Sequence, residues 1–374
     1  MSWNFSFLNP KKQPCKRVLV LITISIFIFI IPLFLYEDKL KYPVSITEYY
    51  GEYFYKPPPR DIIAWQASGR LGNVMFQWAV VSVLALRTNR TPVLLQERGN
   101  TGAVIKLSQF FEMRVEQIDS LELLWRRSNE NNQNRMSIVT YQIKGHFDPT
   151  LERRIRKQDV RIFFGYPNSY RYFIDDLALA YIKNIFRFRG HIKTKALEEL
   201  DIIINGYPKS HSKKLIVSSN TCQEGRIKKY EFVGVHIRNG DMAGINGRYE
   251  VRFNVKPYIN RAIQWFTAYF SGLNKKSNEI PCLEPLFVIC GDDLNWTRNY
   301  FYRHVGHVVL CRQNHYIIDM ALLSYFNYSI ITQGTYGWWA NFLNLQESHI
   351  VLYPSEMSGS YGNFMDYLPQ WIGI

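Results

Sequence analysis

The residues best suited to chemistry lie where a strand-like run ends, in EFVGVHIRNGD at positions 231–241. Its valines and isoleucine favour a buried strand and Asn-Gly-Asp favours a turn, so His236 and Arg238 fall at the strand's carboxyl end. Open α/β sheets bind ligands at that end, and a guanidinium grips two phosphate oxygens at once. The segment therefore predicts an anion site, with an ion pair between Arg238 and Asp241 as the structural alternative.

Two glycine-containing segments each follow a predicted strand and open a predicted helix. In SGRLGNVMFQWA, at positions 68–79, Asn73 stands at a helix start that attracts anions, although the segment has neither a dinucleotide fingerprint nor a P-loop lysine. In TQGTYGWW, at positions 332–339, Gly334 and Thr335 would present amides and a hydroxyl at a positive helix end. An ordinary capped helix with two core tryptophans is the structural alternative for the second segment.

A cation, a hydroxyl and amides around one anion would stabilise a departing nucleoside diphosphate without a metal. The Asp292-Asp293 pair, after another predicted strand, has three interpretations. It could hold a divalent cation, accept hydrogen bonds from the amino and imino groups of guanine, or cap a helix beginning at Leu294 or Asn295.

The elements that must position these groups alternate between strands and helices, which predicts largely parallel sheets and an α/β fold. The first unit contains a strand at Ile62–Ala67, a helix at Asn73–Arg87 and a strand at Val93–Gln96. The second contains strands at Glu231–Ile237, Leu286–Cys290 and Ser329–Thr332, and helices at Val255–Tyr269, Asp319–Ser324 and Trp338–Asn344.

An uncharged apolar run at Val18–Leu35 is long enough to cross a bilayer. Lysine and arginine precede it while Glu37 and Asp38 follow, which predicts an uncleaved signal anchor with the amino terminus in the cytosol. A cleaved signal peptide is the alternative, but no small-residue cleavage site follows the run. Residues 36–60, which end in three prolines, predict an extended stem.

The net charge of +14 over 374 residues is not accompanied by zinc-finger spacing, an RNA-binding aromatic signature or a long basic run. Nucleic acid is therefore not a predicted partner, whereas the basic excess suits an anionic nucleotide substrate.

The predicted topology places four cysteines in an oxidising lumen, where up to two disulfides could form in any of three pairings. Cys290 has a second interpretation, as a buried thiol. Three sequons offer luminal glycosylation candidates. The cysteines are Cys222, Cys282, Cys290 and Cys311, and the sequons begin at Asn89, Asn295 and Asn327.

Five motifs together carry a family resemblance: GRLGNVMFQWA, GYPNSYRYF, FVGVHIRNGD, FVICGDDLNW and DMALLSYFNYSIITQGTYGWWANFL. Their order and spacing resemble those of the galactoside α-1,2-fucosyltransferases, from about residue 62 to the carboxyl terminus, with the chain as a divergent, invertebrate-like member. The resemblance implies an inverting enzyme that moves fucose from GDP-fucose to the 2-hydroxyl of a galactose-terminated glycan, with no metal and no other cofactor. It also implies a single-pass type II Golgi membrane protein, and it allows a homodimer.

The implied fold is GT-B-type, with two facing Rossmann-like doubly wound domains. A cytosolic tail at 1–17, the anchor at 18–35 and the stem at 36–60 would precede an acceptor-side domain at 61–225 and a GDP-fucose-binding domain at 226–374.

The resemblance implies roles residue by residue. Arg238 would bind the diphosphate, and His236 and Asp241 would shape the nucleotide pocket. Thr335 would contact a phosphate, and Asn73 and Arg70 would line the cleft from the first domain. The chemistry of a carboxylate leaves two catalytic roles open for Asp241, to polarise the acceptor hydroxyl or to orient Arg238. Arg238, Asp241 and Asn73 are the predicted catalytic residues, and His236, Arg238, Asp292, Gly334, Thr335 and Arg70 are the predicted GDP-fucose-binding residues.

The chain departs from the family pattern H-x-R-R-G-D at Asn239, where the second arginine is missing, and at Met242, which replaces a tyrosine. Two alternatives stay open. One is a fucosyltransferase that acts on the N-glycan core or on protein hydroxyls, and the other is an inactive membrane-anchored protein that binds a sugar or a nucleotide sugar.

Overall fold

The computed structural model divides the chain into two compact units, Met1–Lys56 and Pro57–Ile374. All described residues belong to the second unit. The predicted tail, anchor and stem lie outside them. The structure describes residues 62–95, 106–113, 117–118, 138–144, 147–155, 160–210, 222, 228–239, 255–276, 282–304, 307–312, 315–344, 349–355 and 366–374.

The first half of the unit is a five-stranded parallel sheet in the order β3-β2-β1-β5-β4. Its central strand β1 is buried between neighbours, and the long helix α1 packs on β1 and β2. The strands are β1 (Ile62–Gln66), β2 (Thr91–Leu95), β3 (Gln117–Ile118), β4 (Ile138–Lys144) and β5 (Val160–Tyr166), and the helices are α1 (Leu71–Thr88), α2 (Leu151–Ile155), α3 (Asp176–Ile185) and α4 (Gly190–Ser210).

The second half is a six-stranded parallel sheet in the order β11-β10-β9-β6-β7-β8. Helix α5 packs on this sheet through aromatic residues such as Phe266 and Phe270. The strands are β6 (Lys228–Ile237), β7 (Cys282–Gly291), β8 (Val308–Leu310), β9 (Tyr328–Ile331), β10 (Ile350–Tyr353) and β11 (Ile372–Gly373), and the helices are α5 (Val255–Lys276), α6 (Leu294–His304), α7 (Tyr316–Leu323) and α8 (Thr335–Phe342).

Two parallel sheets with helices agree with the predicted α/β class. The predicted helix at Trp338–Asn344 is wrong at both ends, because α8 begins at Thr335 and ends at Phe342. Gly337 lies inside the helix, where tertiary packing overrides its low helix propensity. Helix α4, within the predicted first domain, packs on α7 of the second half, and the predicted domain boundary at 225/226 stays a prediction.

An aromatic cluster joins the two halves. Phe76 of α1 lies 4.7 Å from Trp338 and 5.0 Å from Trp339 of α8, measured between ring centroids. Phe173, in the 3₁₀ turn Tyr170–Phe173, stacks on Trp339 at 6.1 Å. Phe76, Phe173, Trp338 and Trp339 are each at most 1% exposed. Large aromatic side chains dominate the energetics of such contacts, so the halves share one core at this junction.

Two disulfides cross-link the second sheet, and both involve strand β7. Cys222 pairs with Cys282 at the start of β7, and Cys290 pairs with Cys311 just after β8. The interpretation of Cys290 as a buried thiol is therefore wrong. The reason is register, because Ile289 lies opposite Leu310 and the next residue on each strand comes within bridging distance, with Cα atoms 5.0 Å apart.

Among the described residues, one helix passes the length and hydropathy test for a membrane span. That helix is α1, and 78% of its apolar window is buried inside the fold. Burial in the first half's core explains its apolar composition.

Candidate functional site

His236 lies at the end of β6, where it is 7% exposed, and its ring lies 4.7 Å from the ring of Tyr336. Burial, reinforced by the positive charge of Arg238, lowers the pKa of His236 to about 3. Its Nδ1 atom has no hydrogen-bond partner among the described residues. The side chain is therefore a neutral imidazole throughout the physiological range.

Arg238 follows β6 and lies directly against the chain that leaves β9. Its backbone N–H donates to Oγ1 of Thr332 at 2.9 Å. Gly334 has φ 108°, and a Cβ atom there would come within 2.7 Å of Nη1 of Arg238. The guanidinium occupies the space that any other side chain at position 334 would need, and glycine also accepts the positive φ. The two predicted donor-binding positions are thus in contact.

The amino termini of two helices meet beside this arginine. Thr335, the first residue of α8, is 7% exposed and donates from Oγ1 to Oδ1 of Asn73, in the first turn of α1, at 2.9 Å. Nε1 of Trp339 donates to the carbonyl oxygen of Gly72 at 3.0 Å. Helix amino termini carry unpaired N–H groups and partial positive charge, so the site combines two such ends with a guanidinium. This arrangement suits a multiply charged anion.

Gln77 holds the turn that leads into α1. Its Oε1 accepts from the N–H of Ser68 at 3.1 Å, and its Nε2 donates to the carbonyl oxygens of Ser68 at 3.2 Å and of Gly165 at 2.9 Å. Arg70 is the exposed N-cap residue of the same helix. A buried glutamine therefore fixes the segment that carries Arg70 and Asn73.

The two adjacent aspartates have different roles. Oδ1 of Asp292 accepts the backbone N–H of Asn239 at 2.8 Å, which ties the chain after β6 to the chain after β7. Oδ1 of Asp293 accepts from the N–H of Trp296 at 2.9 Å, so Asp293 caps α6. The cap interpretation is confirmed for Asp293, and Asp292 lies exposed at the same edge of the sheet as Arg238.

Gln333 is a site residue that the sequence analysis missed. It is 4% exposed, and neither Oε1 nor Nε2 has a hydrogen-bond partner among the described residues. It lies between Thr332, which binds the backbone of Arg238, and Gly334. Burying an amide without hydrogen-bond partners costs free energy. In the sequence, the only sign that Gln333 belongs to the candidate site was its position within the segment TQGTYG.

The structure thus brings together most of the predicted site residues at one edge. Asp241 lies outside the described residues, and its predicted role stays a prediction. The three sequon asparagines are all exposed and occupy other places: Asn89 caps the carboxyl end of α1, Asn295 lies in the first turn of α6, and Asn327 precedes β9. The residues that meet at the edge are Asn73, His236, Arg238, Asp292, Gly334 and Thr335.

Comparison with known proteins identifies a family and several relatives of similar sequence. The family model "Glycosyl transferase family 11" matches residues 40–374. "Galactoside 2-alpha-L-fucosyltransferase Sec1" of Mus musculus is 26% identical over 329 residues, covering 85% of this chain and 75% of the mouse protein. "Galactoside alpha-(1,2)-fucosyltransferase 2" of Gorilla gorilla gorilla is 24% identical over 318 residues, covering 82% and 78%. A crystal structure of POFUT1 in complex with GDP-fucose aligns with a TM-score of 0.45 at 12% identity, covering 80% of this chain and 99% of that chain.

Proposed function

The chain belongs to glycosyl transferase family 11, and from that premise we propose that it transfers L-fucose from GDP-fucose to the 2-hydroxyl of a galactose residue, with inversion and without a metal. The relatives named galactoside α-1,2-fucosyltransferases support the reaction and the acceptor. The observation that carries the donor side is the meeting of Arg238 with the amino termini of α1 and α8.

The diphosphate of GDP-fucose would bind where these three positive groups converge. As the bond between fucose and GDP breaks, negative charge grows on the leaving phosphate, and preorganised donors stabilise that charge more than they stabilise the substrate. Arg238 would supply the full charge, and Thr335 with the first amides of α8 would supply hydrogen bonds. His236, held neutral by burial, would add no charge of its own to the site.

The acceptor hydroxyl would attack the anomeric carbon from the side opposite the departing GDP, which gives inversion in a single displacement. Asn73 and Arg70 would line the cleft from the first half. Asp241 would polarise the hydroxyl or orient Arg238. Asp292 would read guanine, and Gln333 would direct its buried amide at the nucleotide sugar.

We place the enzyme in the Golgi membrane as a single-pass type II protein with its catalytic unit in the lumen. The apolar run at Val18–Leu35 and its basic flank support the anchor. The two disulfides support an oxidising compartment.

Substitution of Arg238 tests the donor site. Arg238→Ala should lower kcat/KM for GDP-fucose by about a hundredfold or more, because one preorganised charged donor is worth that much. Arg187→Ala is a matched control, since this exposed arginine pairs with Glu112 at 3.6 Å on the first half. A folded Arg238→Ala enzyme with kcat/KM within a few-fold of wild type would exclude the proposed role.

A panel of acceptors tests the remaining part of the proposal. Galactosides, an N-glycan core and a serine-containing protein domain would be incubated with labelled GDP-fucose and the unit from residue 61. Transfer to galactosides supports the proposed acceptor, and transfer to another member of the panel replaces it. Tight GDP-fucose binding with no transfer to any acceptor would point to the inactive binding protein.

A further inference from the structure

A second concave surface lies at the opposite end of the second sheet. This groove has a volume of about 130 Å³, enough for several water molecules at about 30 Å³ each. Leu200 and Ile204, one turn apart on α4, form one wall, and Ile204 is 44% exposed. The other wall is aromatic and consists of Phe232, Tyr325 and Tyr328.

The groove is separate from the proposed donor site. Phe232 and Arg238 are six positions apart along β6 and the residue after it, so at about 3.3 Å per residue they are roughly 20 Å apart. An occupant of the groove would therefore lie against the middle of β6 and the amino end of β9, away from the strand end that carries His236 and Arg238.

A glycosylation sequon lies at the rim of this groove. Asn327 is exposed and lines the groove, followed by Tyr328 and Ser329 in the pattern Asn-Tyr-Ser. Its carbonyl oxygen accepts the N–H of Ile350 at 2.8 Å, which fixes the turn before β9. The side chain of Asn327 thus leaves a rigid position beside the apolar walls. Asn89 and Asn295 are also exposed, but neither lines the groove.

The chemistry of an N-linked sugar fits these walls. A pyranose ring has an apolar face of C–H bonds that stacks on aromatic side chains, and its hydroxyls need acceptors at the rim. Glu231, which lines the groove and pairs with Lys229 at 2.6 Å, offers carboxylate oxygens there. The two disulfides indicate the oxidising secretory compartment in which N-glycans are added.

We propose that Asn327 carries an N-linked glycan whose innermost sugar covers the groove between α4 and strands β6 and β9. The glycan stabilises the folded unit by shielding apolar surface that the described residues leave exposed. The inference does not depend on the reaction that the enzyme catalyses.

The test uses the full chain produced in cells that attach N-glycans. Mass spectrometry of the peptide that contains Asn327 should show the glycan. Trimming to the innermost sugar with endoglycosidase H should leave Tm unchanged, whereas removal of every sugar should lower Tm by roughly 2–3 °C, the change expected for an effect of one to two kcal/mol in a unit of this size. An unmodified Asn327, or the same Tm after both treatments, would overturn the proposal.

Two substitutions separate the glycan from the side chains that attach it. Ser329→Ala abolishes the sequon, and the lost hydroxyl has no hydrogen-bond partner among the described residues, so the substitution alone should not destabilise the fold. It should nevertheless lower Tm as full deglycosylation does. Asn295→Gln is the control, because it abolishes another exposed sequon in the first turn of α6, and it should leave Tm unchanged.

A groove variant distinguishes a sugar in the groove from a glycan that only projects into solvent. Tyr325→Ala should lower Tm more in the glycosylated protein than in the Ser329→Ala background, because residues and groups in contact do not contribute additively. Equal effects in the two backgrounds would refute the contact between the sugar and the groove.

Discussion

Replacement of Gly72 by alanine would drive a methyl group into the point where α1 and α8 meet. The new Cβ would lie 2.6 Å from Oγ1 of Thr335, 2.7 Å from its carbonyl carbon and 2.8 Å from the backbone nitrogen of Tyr336. Two of these atoms belong to the backbone, so a rotamer change cannot relieve the clash. The helices would have to move apart.

The expected free-energy cost follows from three contributions. Overpacking a tight core costs about 1–3 kcal/mol. Weakening the hydrogen bonds from Trp339 to Gly72 and from Thr335 to Asn73 costs about 1 kcal/mol each. Alanine recovers up to about 1 kcal/mol of helix propensity. The free energy of unfolding of the variant should therefore be about 2–4 kcal/mol lower, and the variant should stay folded, since domains have about 5–15 kcal/mol in reserve.

Chemical denaturation and donor kinetics measure the two consequences. Gly72→Ala should shift the denaturation midpoint down and lower kcat/KM for GDP-fucose at least tenfold, because the separation displaces Thr335 and Asn73. Gly272→Ala is the matched control, since a Cβ on this residue of α5 meets nothing within 4 Å and should be neutral or stabilising. A Gly72→Ala protein as stable and as active as wild type would refute the packing argument.

Three further predictions concern the second half. Replacing Cys222 and Cys282 together with serine should lower the free energy of unfolding by about 4 kcal/mol, from the chain entropy of a loop closed over 60 positions; equal denaturation midpoints of the variant and the wild type would contradict this. Burial raises the pKa of the Glu284 carboxyl, but hydrogen bonds and charge from His307 and Lys228 outweigh burial and hold the pKa below 4.5. Glu284→Gln should therefore cost about 1–3 kcal/mol at neutral pH, with a deficit that shrinks as the pH falls below 4.5; a pH-independent deficit would argue against the ionised carboxylate. Folding lowers the pKa of His236 from 6.5 to about 3, so between these two pH values the unfolded chain binds a proton at His236 and the folded chain does not. The free energy of unfolding should therefore decline by up to about 1.4 kcal/mol per pH unit as the pH falls below 6.5. His236→Asn should flatten that decline in pH-dependent denaturation, and an unchanged slope would exclude a buried neutral imidazole.

Local sequence patterns located the strands around the site but not their full lengths. The apolar run ending at Ile237 predicts β6, and the structure extends this strand back to Lys228. Strand β7 also begins earlier than predicted, at Cys282. The prediction excluded this part of the strand because it contains Glu284, which the structure buries completely. The ion pair between Glu284 and Lys228, at 2.9 Å, makes that burial tolerable. A glutamate in the sequence predicts the end of a buried strand, because glutamate is almost never fully buried unless it is paired. The pairing residue, Lys228, lies on a different strand, so the local sequence does not reveal it.

The site was predictable as a set of residues but not as a set of contacts. His236, Arg238 and Thr335 could be named because strand ends and helix starts attract anions. Their arrangement depends on the pairing of Thr335 with Asn73 across 262 positions, which no local pattern encodes. Gln333 escaped notice for the same reason, because only the fold shows that its amide is buried and has no hydrogen-bond partner among the described residues.

The aromatic junction has a consequence for the order in which the chain is made. Gly72 and its helix leave the ribosome 267 positions before Trp339, which covers them. At synthesis rates of about 5–20 residues per second, that delay is roughly 10–50 s. Phe76 would remain without its final neighbours for the whole interval, so the first half must wait for nearly the last residues of the chain before its core is complete. A premature stop codon before Trp338 should therefore prevent the first half from folding as severely as it prevents the second half, although the first half is synthesised completely.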